Sequence, residues 1–335
     1  MIKIGIPRAL LYYQYYPMWK TFFEELGAEV ILSPPTTQEM LSTGSSRVVA
    51  DTCLPVKVYL GHVISLTEKC DYIFIPAVRS VKSKIYNCSK FLGLPDMTRA
   101  VVPESPPIID TDIDINQGKR KLYQAIYKLG QQFTWNPTKV KKAGLNAWQA
   151  YLDYRESMCN QKLTPPEILS EDLNIKEKKQ NLQSGQSNNN RAIIALIGHP
   201  YLLYDEYINH RLIQRLMQAD NKILTPEMLS NQELKSAIKK MVGRAYWTYE
   251  EEVVGAGGHY LQNKVDGVIG IMAFGCGPDS LMMDTVRRQA TRLLDTPFMN
   301  LTLEEHTAEA GVITRLEAFI DMINRKKKKE TEVCV

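Results

Sequence analysis

The 335-residue chain has no apolar run approaching the roughly 18–20 residues of a membrane span, so a membrane role is not expected. It has no Cys-x-x-Cys pair, which removes the spacing signal of a zinc finger or a bacterial ferredoxin. It has no Gly-rich phosphate loop. Gly255-Ala256-Gly257-Gly258 lacks the preceding strand and the spacing of a dinucleotide fingerprint, and reads as close helix packing. No Ser-His-Asp set or carboxylate pair is legible, so no acid or base is assigned. Charge of one sign is also scarce. The net charge is +4, and much of the excess sits in Arg325-Lys326-Lys327-Lys328-Lys329, which reads as a solvated tail. The rest is close to neutral, and neither nucleic acid nor membrane is expected as a partner.

What is present is an ordinary globular composition, 44% hydrophobic and 23% charged. The chain opens on Ile2-Lys3-Ile4-Gly5-Ile6, which reads as a strand and not a signal peptide. A cytoplasmic location is therefore expected. In that compartment the six cysteines are reduced, metal-binding or catalytic rather than disulfide-bonded.

Apolar periodicity predicts a helix over 10–26, with a strand at Val30-Ile31-Leu32 after Gly27. That is a β-α-β unit and implies a parallel sheet. Asp51-Thr52-Cys53-Leu54-Pro55 opens another helix running to about Thr67, with Asp51 or Thr52 as its cap, and Tyr72–Pro76 is a third strand. Residues 116–160 are amphipathic and helical. Lys176 to Arg191 is polar and reads as a linker. A second α/β block follows: a strand at 192–197, a helix near 206–219, a strand at 222–224, mostly helix over 232–262, a strand at Val268–Ala273, a helix over 278–294, a strand at 298–301 and a last helix over 305–325. The expected fold is two Rossmann-like α/β domains with parallel sheets, facing a cleft, with a helical region between them. The divisions are 1–113, 114–175, a linker over 176–191, 192–325 and a basic tail over 326–335. No sequence repeat relates the halves.

Cys276 ends the run Val268–Gly275 and precedes Gly277-Pro278-Asp279. A thiol at the carboxyl end of a strand and the amino end of a helix stands where open α/β sheets collect ligands. The helix terminus there favours a thiolate. Cys53 begins a helix in the other half, and Cys88 lies in a loop flanked by turn residues. Each of these is either a site residue or a small buried hydrophobe. Cys70 reads as packing, and Cys159 and Cys334 as incidental. His62 is either a supporting polar group or a satisfied core histidine. His199, after a strand end, is either a pocket residue or a loop stabiliser. Glu305, His306 and Glu309 open the last helix, where acidic residues suit the dipole.

Taken in order, Asp51-Thr52-Cys53-Leu54-Pro55-Val56-Lys57 with Gly61-His62, Asn87-Cys88 with Gly93-Leu94-Pro95-Asp96, Cys276-Gly277-Pro278-Asp279, and Glu305-His306 through Phe319 resemble the DUF2229 family over nearly the whole chain. That family is related to the activase and dehydratase of 2-hydroxyacyl-CoA metabolism and includes double-cubane cluster proteins. The resemblance implies a [4Fe-4S] cluster, alone or as part of a double cubane, held by Cys53, Cys88 and Cys276 with one iron left open. Ser89 stands where such relatives often carry Pro. The resemblance also implies a separate ATP-dependent activator as electron donor, a homodimer or heterodimer, and reduction or dehydration of a small substrate. Two other readings stay open: a non-catalytic iron–sulfur electron carrier or scaffold subunit, and a metal-free two-domain protein that binds a small molecule.

Overall fold

A computed structural model describes residues 1–170, 191–293 and 295–333. The linker expected over 176–191 lies outside the described residues except for Arg191, as does Cys334. The chain divides into two compact units, Met1–Glu156 with Ala245–Thr248, and Ser157–Arg244 with Tyr249–Val335. Among the described residues no helix is long and apolar enough to cross a membrane.

The first unit carries β1 (Lys3–Ile6), α1 (Tyr12–Leu26), β2 (Glu29–Leu32), α2 (Gln38–Ser46), α3 (Leu54–Ser65) and β3 (Tyr72–Phe74). It continues with β4 (Ala77–Ser80), α4 (Ser89–Leu92), α5 (Leu94–Val101), β5 (Ile108–Ile109) and β6 (Asp112–Asp114). The helical region follows as α6 (Lys119–Gly130) and α7 (Pro137–Gln161). The main sheet is parallel, in the order β2-β1-β3-β5. A second ladder pairs β4 with β6. The core lies between the sheet and the helices α1, α6 and α7. Phe23 meets Phe74 edge-on at 5.0 Å and Phe133 at 5.6 Å, over Ile4, Ile6 and Leu129. Burying each such side chain contributes about 1.5–3 kcal/mol relative to exposure. Gly27 ends α1 with φ +95°, a left-handed backbone that glycine adopts without steric cost.

The second unit has β7 (Ile193–Gly198), β8 (Lys222–Leu224), β9 (Gly267–Ala273) and β10 (Phe298–Leu303). They form a parallel sheet in the order β10-β9-β7-β8. Read from each unit's first strand, both sheets have the same order, 2-1-3-4. Both are Rossmann-like, and the shared topology appears without any sequence repeat. In such a sheet the strand order reverses direction beside the first strand, and ligands bind there at the strands' carboxyl ends. In the second unit that place lies between the ends of β7 and β9.

Three expectations change. Neither Asp51 nor Thr52 caps α3; Cys53 itself is the residue before the helix, with extended backbone and no side-chain cap bond. The helix expected near 206–219 is confined to Leu212–Gln218, because Asp205 Oδ1 accepts from the N–H groups of Tyr207 and Ile208 and makes a turn, and His210 and Arg211 are left-handed. The last helix spans Glu309–Val333, so Glu305 and His306 precede it, in a turn where Glu304 N–H donates to Thr307 Oγ1. The stretch 232–262 is mostly helical as expected, in three pieces: helix at Asn231–Met241, a π-helix at Glu251–Gly255 and helix at Ala256–Gln262. The glycine run there does serve close packing: a Cβ on Gly257 would stand 2.6 Å from Val286, and one on Gly258 2.6 Å from Met241.

Candidate functional site

In the first unit Cys53 and Cys88 occupy equivalent positions. Each precedes a helix with extended backbone, φ −64° and ψ 146° at Cys53 and φ −54° and ψ 144° at Cys88. The Cys53 carbonyl accepts from Val56 N–H at 3.0 Å, and the Cys88 carbonyl from Phe91 N–H at 3.0 Å. Both thiols are half-buried. Burial pushes the Cys53 thiol up; the Val56 N–H draws it down, a neighbouring Cys88 thiolate pushes it up and the Lys90 ammonium draws it down. The Cys88 sulfur therefore lies near enough for its charge to act on Cys53. The Cys88 loop is tied on both sides. Asn87 N–H donates to Arg79 O and Asn87 Nδ2 to Val78 O, while Tyr86 N–H donates to Tyr246 O and Thr248 N–H to Tyr86 O.

The other residues near α3 are structural. His62 is fully buried, its Nδ1 2.8 Å from Ser33 Oγ and its Nε2 2.9 Å from Thr36 Oγ1. Burial and the Arg8 guanidinium push its pKa down to about 3, so it is a neutral, satisfied core histidine. Cys70 lies against Gly5 and donates to Leu66 O at 3.4 Å.

In the second unit Cys276 follows β9 through Phe274 and Gly275. Gly275 has φ +75° with open space where a Cβ would stand, so backbone conformation and not crowding requires glycine. Cys276 O accepts from Ser280 N–H at 3.1 Å and starts the helix Gly277–Leu293. Asp279, in the first turn of that helix, is fully buried. His199 follows β7, 4% exposed, with φ −69° and ψ 140°, the backbone seen at Cys53 and Cys88. Its ring lies 5.1 Å from that of Tyr201 and 4.7 Å from that of Tyr249. Tyr249 has φ +72° and stands just before the π-helix. Left-handed tyrosines and π-helical turns both carry strain and gather at functional sites.

His199 Nδ1 is 2.6 Å from Tyr201 Oη, within hydrogen-bonding geometry. Asp279 Oδ1 is 3.0 Å from the same nitrogen but outside that geometry. Among the described residues, His199 Nε2 and Asp279 Oδ1 are buried without a hydrogen-bond partner. A ring nitrogen of His199, a carboxylate oxygen of Asp279 and the Cys276 sulfur all lie within 4.8 Å of one another.

Cys53 and Cys88 thus share one neighbourhood in the first unit, and Cys276 sits at its strand–helix junction in the second. Sequence reasoning singled out His199 without a partner, and missed Asp279, Tyr201 and Tyr249 as its neighbours. One signal was available: two apolar runs each end in Gly, a chemistry-bearing residue and Pro (Gly198-His199-Pro200, and Gly275-Cys276-Gly277-Pro278). Only the strand order, which places β7 beside β9, turns that likeness into proximity.

Residues 3–229 match the family model for the CoA enzyme activase uncharacterised domain, DUF2229. The match contains Cys53, Cys88 and His199 and ends before Cys276 and Asp279. No curated protein matches the chain.

Proposed function

The chain belongs to the DUF2229 family, and on that premise we propose that it is an iron–sulfur protein of the 2-hydroxyacyl-CoA dehydratase and double-cubane type. In this reading Cys53, Cys88 and Cys276 are thiolate ligands of a [4Fe-4S] cluster. A separate ATP-dependent activator supplies low-potential electrons, and the reaction is reduction or dehydration of a small substrate. The observation that carries the reading is the Cys53–Cys88 pair. Two half-buried thiols at matching helix starts, with Cys88 near enough for its charge to act on Cys53, suit a group that takes both as ligands.

The donor set fits the group. The Val56 N–H and the Lys90 ammonium both favour the anionic form of Cys53, and the start of α3 adds the positive end of a helix dipole. The cluster, when bound, would supply one-electron chemistry at low potential. The chain's own residues would hold the thiolates in place, through the doubly tied Cys88 loop and the close packing of α3.

The test is anaerobic purification from iron-replete cells, with iron analysis and electron paramagnetic resonance of the reduced protein. The expectation is about four irons per chain for one cubane, with most of the iron lost in Cys53→Ala, Cys88→Ala and Cys276→Ala. A colourless, iron-free chain from that preparation refutes the reading. Full iron content in Cys276→Ala refutes its role as a ligand.

A further inference from the structure

We propose that the outer face of α7 is the surface through which two copies of this chain associate, as an antiparallel helix pair centred on Leu145, Trp148 and Leu152. The inference goes beyond the iron–sulfur reading and does not depend on it. The face runs from Lys141 to Glu156, lies wholly in the first unit and carries no cysteine.

α7 has two apolar faces, and the first unit uses one of them. Val140, Ala143, Ala147, Tyr154 and Met158 recur at helical spacing and are all buried. Val140, Ala143 and Ala147 belong to the core between sheet and helices, and Tyr154 Oη donates to Tyr13 O at 2.8 Å. Leu145, Trp148 and Leu152 recur at the same spacing on the opposite side of the helix, and they are 61%, 53% and 41% exposed. Single exposed apolar residues are ordinary, but three large ones in a row mark an interaction surface. Trp148 is also held in position. Its ring lies 5.1 Å from that of Tyr151, which stacks on Tyr15 at 5.5 Å. An aromatic side chain already ordered loses little entropy on binding, which suits it to anchor a contact.

The charges at the two ends of the row choose the occupant. Lys141 and Lys142 lie one turn before Leu145, and Glu156 lies one turn after Leu152; all three are exposed. The row is symmetric in position: Lys141 and Glu156, and likewise Leu145 and Leu152, are equally far from a point between Trp148 and Gln149. A second copy laid antiparallel about that point sets the lysines of each chain against Glu156 of the other, twice, with the apolar side chains between. A two-fold contact requires this kind of self-complementary patch. A parallel copy would set like charge on like, and a partner of one sign would be repelled at one end. Antiparallel packing also brings opposite ends of the two helix dipoles together. At 1.5 Å per residue the row is about 22 Å long. A contact of that length falls at the small end of specific interfaces, so a dissociation constant in the micromolar range is expected.

The test is sedimentation velocity of the full chain as purified, at about 1–100 µM, which spans that affinity. The expected result is a monomer–dimer equilibrium. Trp148→Ser should weaken it by at least about thirtyfold, the usual loss for a tryptophan at the centre of an interface. Leu145→Lys gives the same reading should Trp148→Ser fail to fold by circular dichroism. Glu156→Lys makes both ends basic and should also weaken the dimer. Adding Lys141→Glu and Lys142→Glu to it exchanges the ends and should restore association. The proposal is overturned by a chain monomeric throughout, which leaves the row to a different occupant. It is equally overturned by a dimer as tight in the folded Trp148→Ser or Leu145→Lys variant as in the unaltered chain. An end-exchanged variant that folds but associates as weakly as Glu156→Lys overturns the antiparallel pairing. Iron analysis of the same samples reports on the cluster alone, so the two readings fail separately.

Discussion

The seating of Cys53 depends on how closely α2 and α3 cross, and Gly61→Ala tests it. The approach is backbone to backbone. A Cβ on Gly61 would stand 2.0 Å from Met40 O and 2.6 Å from Met40 C, and one on Gly44 would stand 1.9 Å from Lys57 O. Two effects oppose each other. Alanine is favoured over glycine inside a helix by roughly 0.5–1 kcal/mol. Overpacking costs about 1–3 kcal/mol, and more where the obstacle cannot move. Here the obstacle is a carbonyl in a helix, not the end of a flexible side chain, so the helices must part by about 1 Å. A gap of that size forfeits a quarter to a half of each contact it opens. α3 is buried along its whole length from Leu54 to Val63, so parting it from α2 disturbs packing around the helix. Overpacking therefore wins, and Gly61→Ala should destabilise the protein by about 2 kcal/mol or more in urea unfolding followed by circular dichroism. Gly44→Ala should act in the same direction. The double variant should cost less than the two singles added, because helices already parted admit the second methyl. Gly311→Ala is the control: nothing lies within 4 Å of its Cβ position in the last helix, and it should stabilise by roughly 0.4–1 kcal/mol. Equal or greater stability in Gly61→Ala would refute the close crossing.

Two further outcomes are expected. His62 has a pKa of about 3 when folded, below the roughly 6.5 of an unfolded histidine. Its contribution to stability is therefore present above pH 6.5 and is lost as pH falls from 6.5 toward 3, because only the unfolded chain takes up that proton. Urea unfolding across this window should show a steeper loss in the unaltered chain than in His62→Gln, and identical slopes would sink the reasoning. In the metal-free chain, Cys88→Ser should let Cys53 ionise at lower pH, and Lys90→Gln should require higher pH. The pH dependence of Cys53 alkylation reads both shifts, and no change in either variant would separate the two thiols.

How legible each feature was depended on its range along the chain. The β-α-β start was readable because Ile4, Ile6, Phe22, Phe23 and Leu26 repeat at the periods of strand and helix and are all buried. α2 was not: Gln38–Ser46 has little apolar content, and its helix is set by the Thr37 cap and by the close approach at Gly44. The β4–β6 ladder was hidden because its strands are short and Asp112-Ile113-Asp114 has a charged pattern. At the candidate sites the cysteines were readable as strand–helix junctions, since Gly and Pro mark such turns in sequence. The influence of Cys88 on Cys53, and the meeting of His199 with Asp279, were not. Both depend on which segments lie side by side, which local sequence does not encode.

The bond pair between Tyr86 and the segment Ala245–Thr248 has a consequence for the order of synthesis. Most of the first unit is encoded before residue 157, and domains generally begin to fold from the N-terminus as they are made. The Cys88 loop cannot be finished on that schedule, because one of its two ties arrives only when Thr248 has left the ribosome. Until then Cys88 is held from the β4 side alone. An N-terminal fragment ending at Glu156 would keep the sheet and the core but carry this cysteine half-tethered. Both ties of the Cys88 loop are therefore in place only after about half of the second unit has been made.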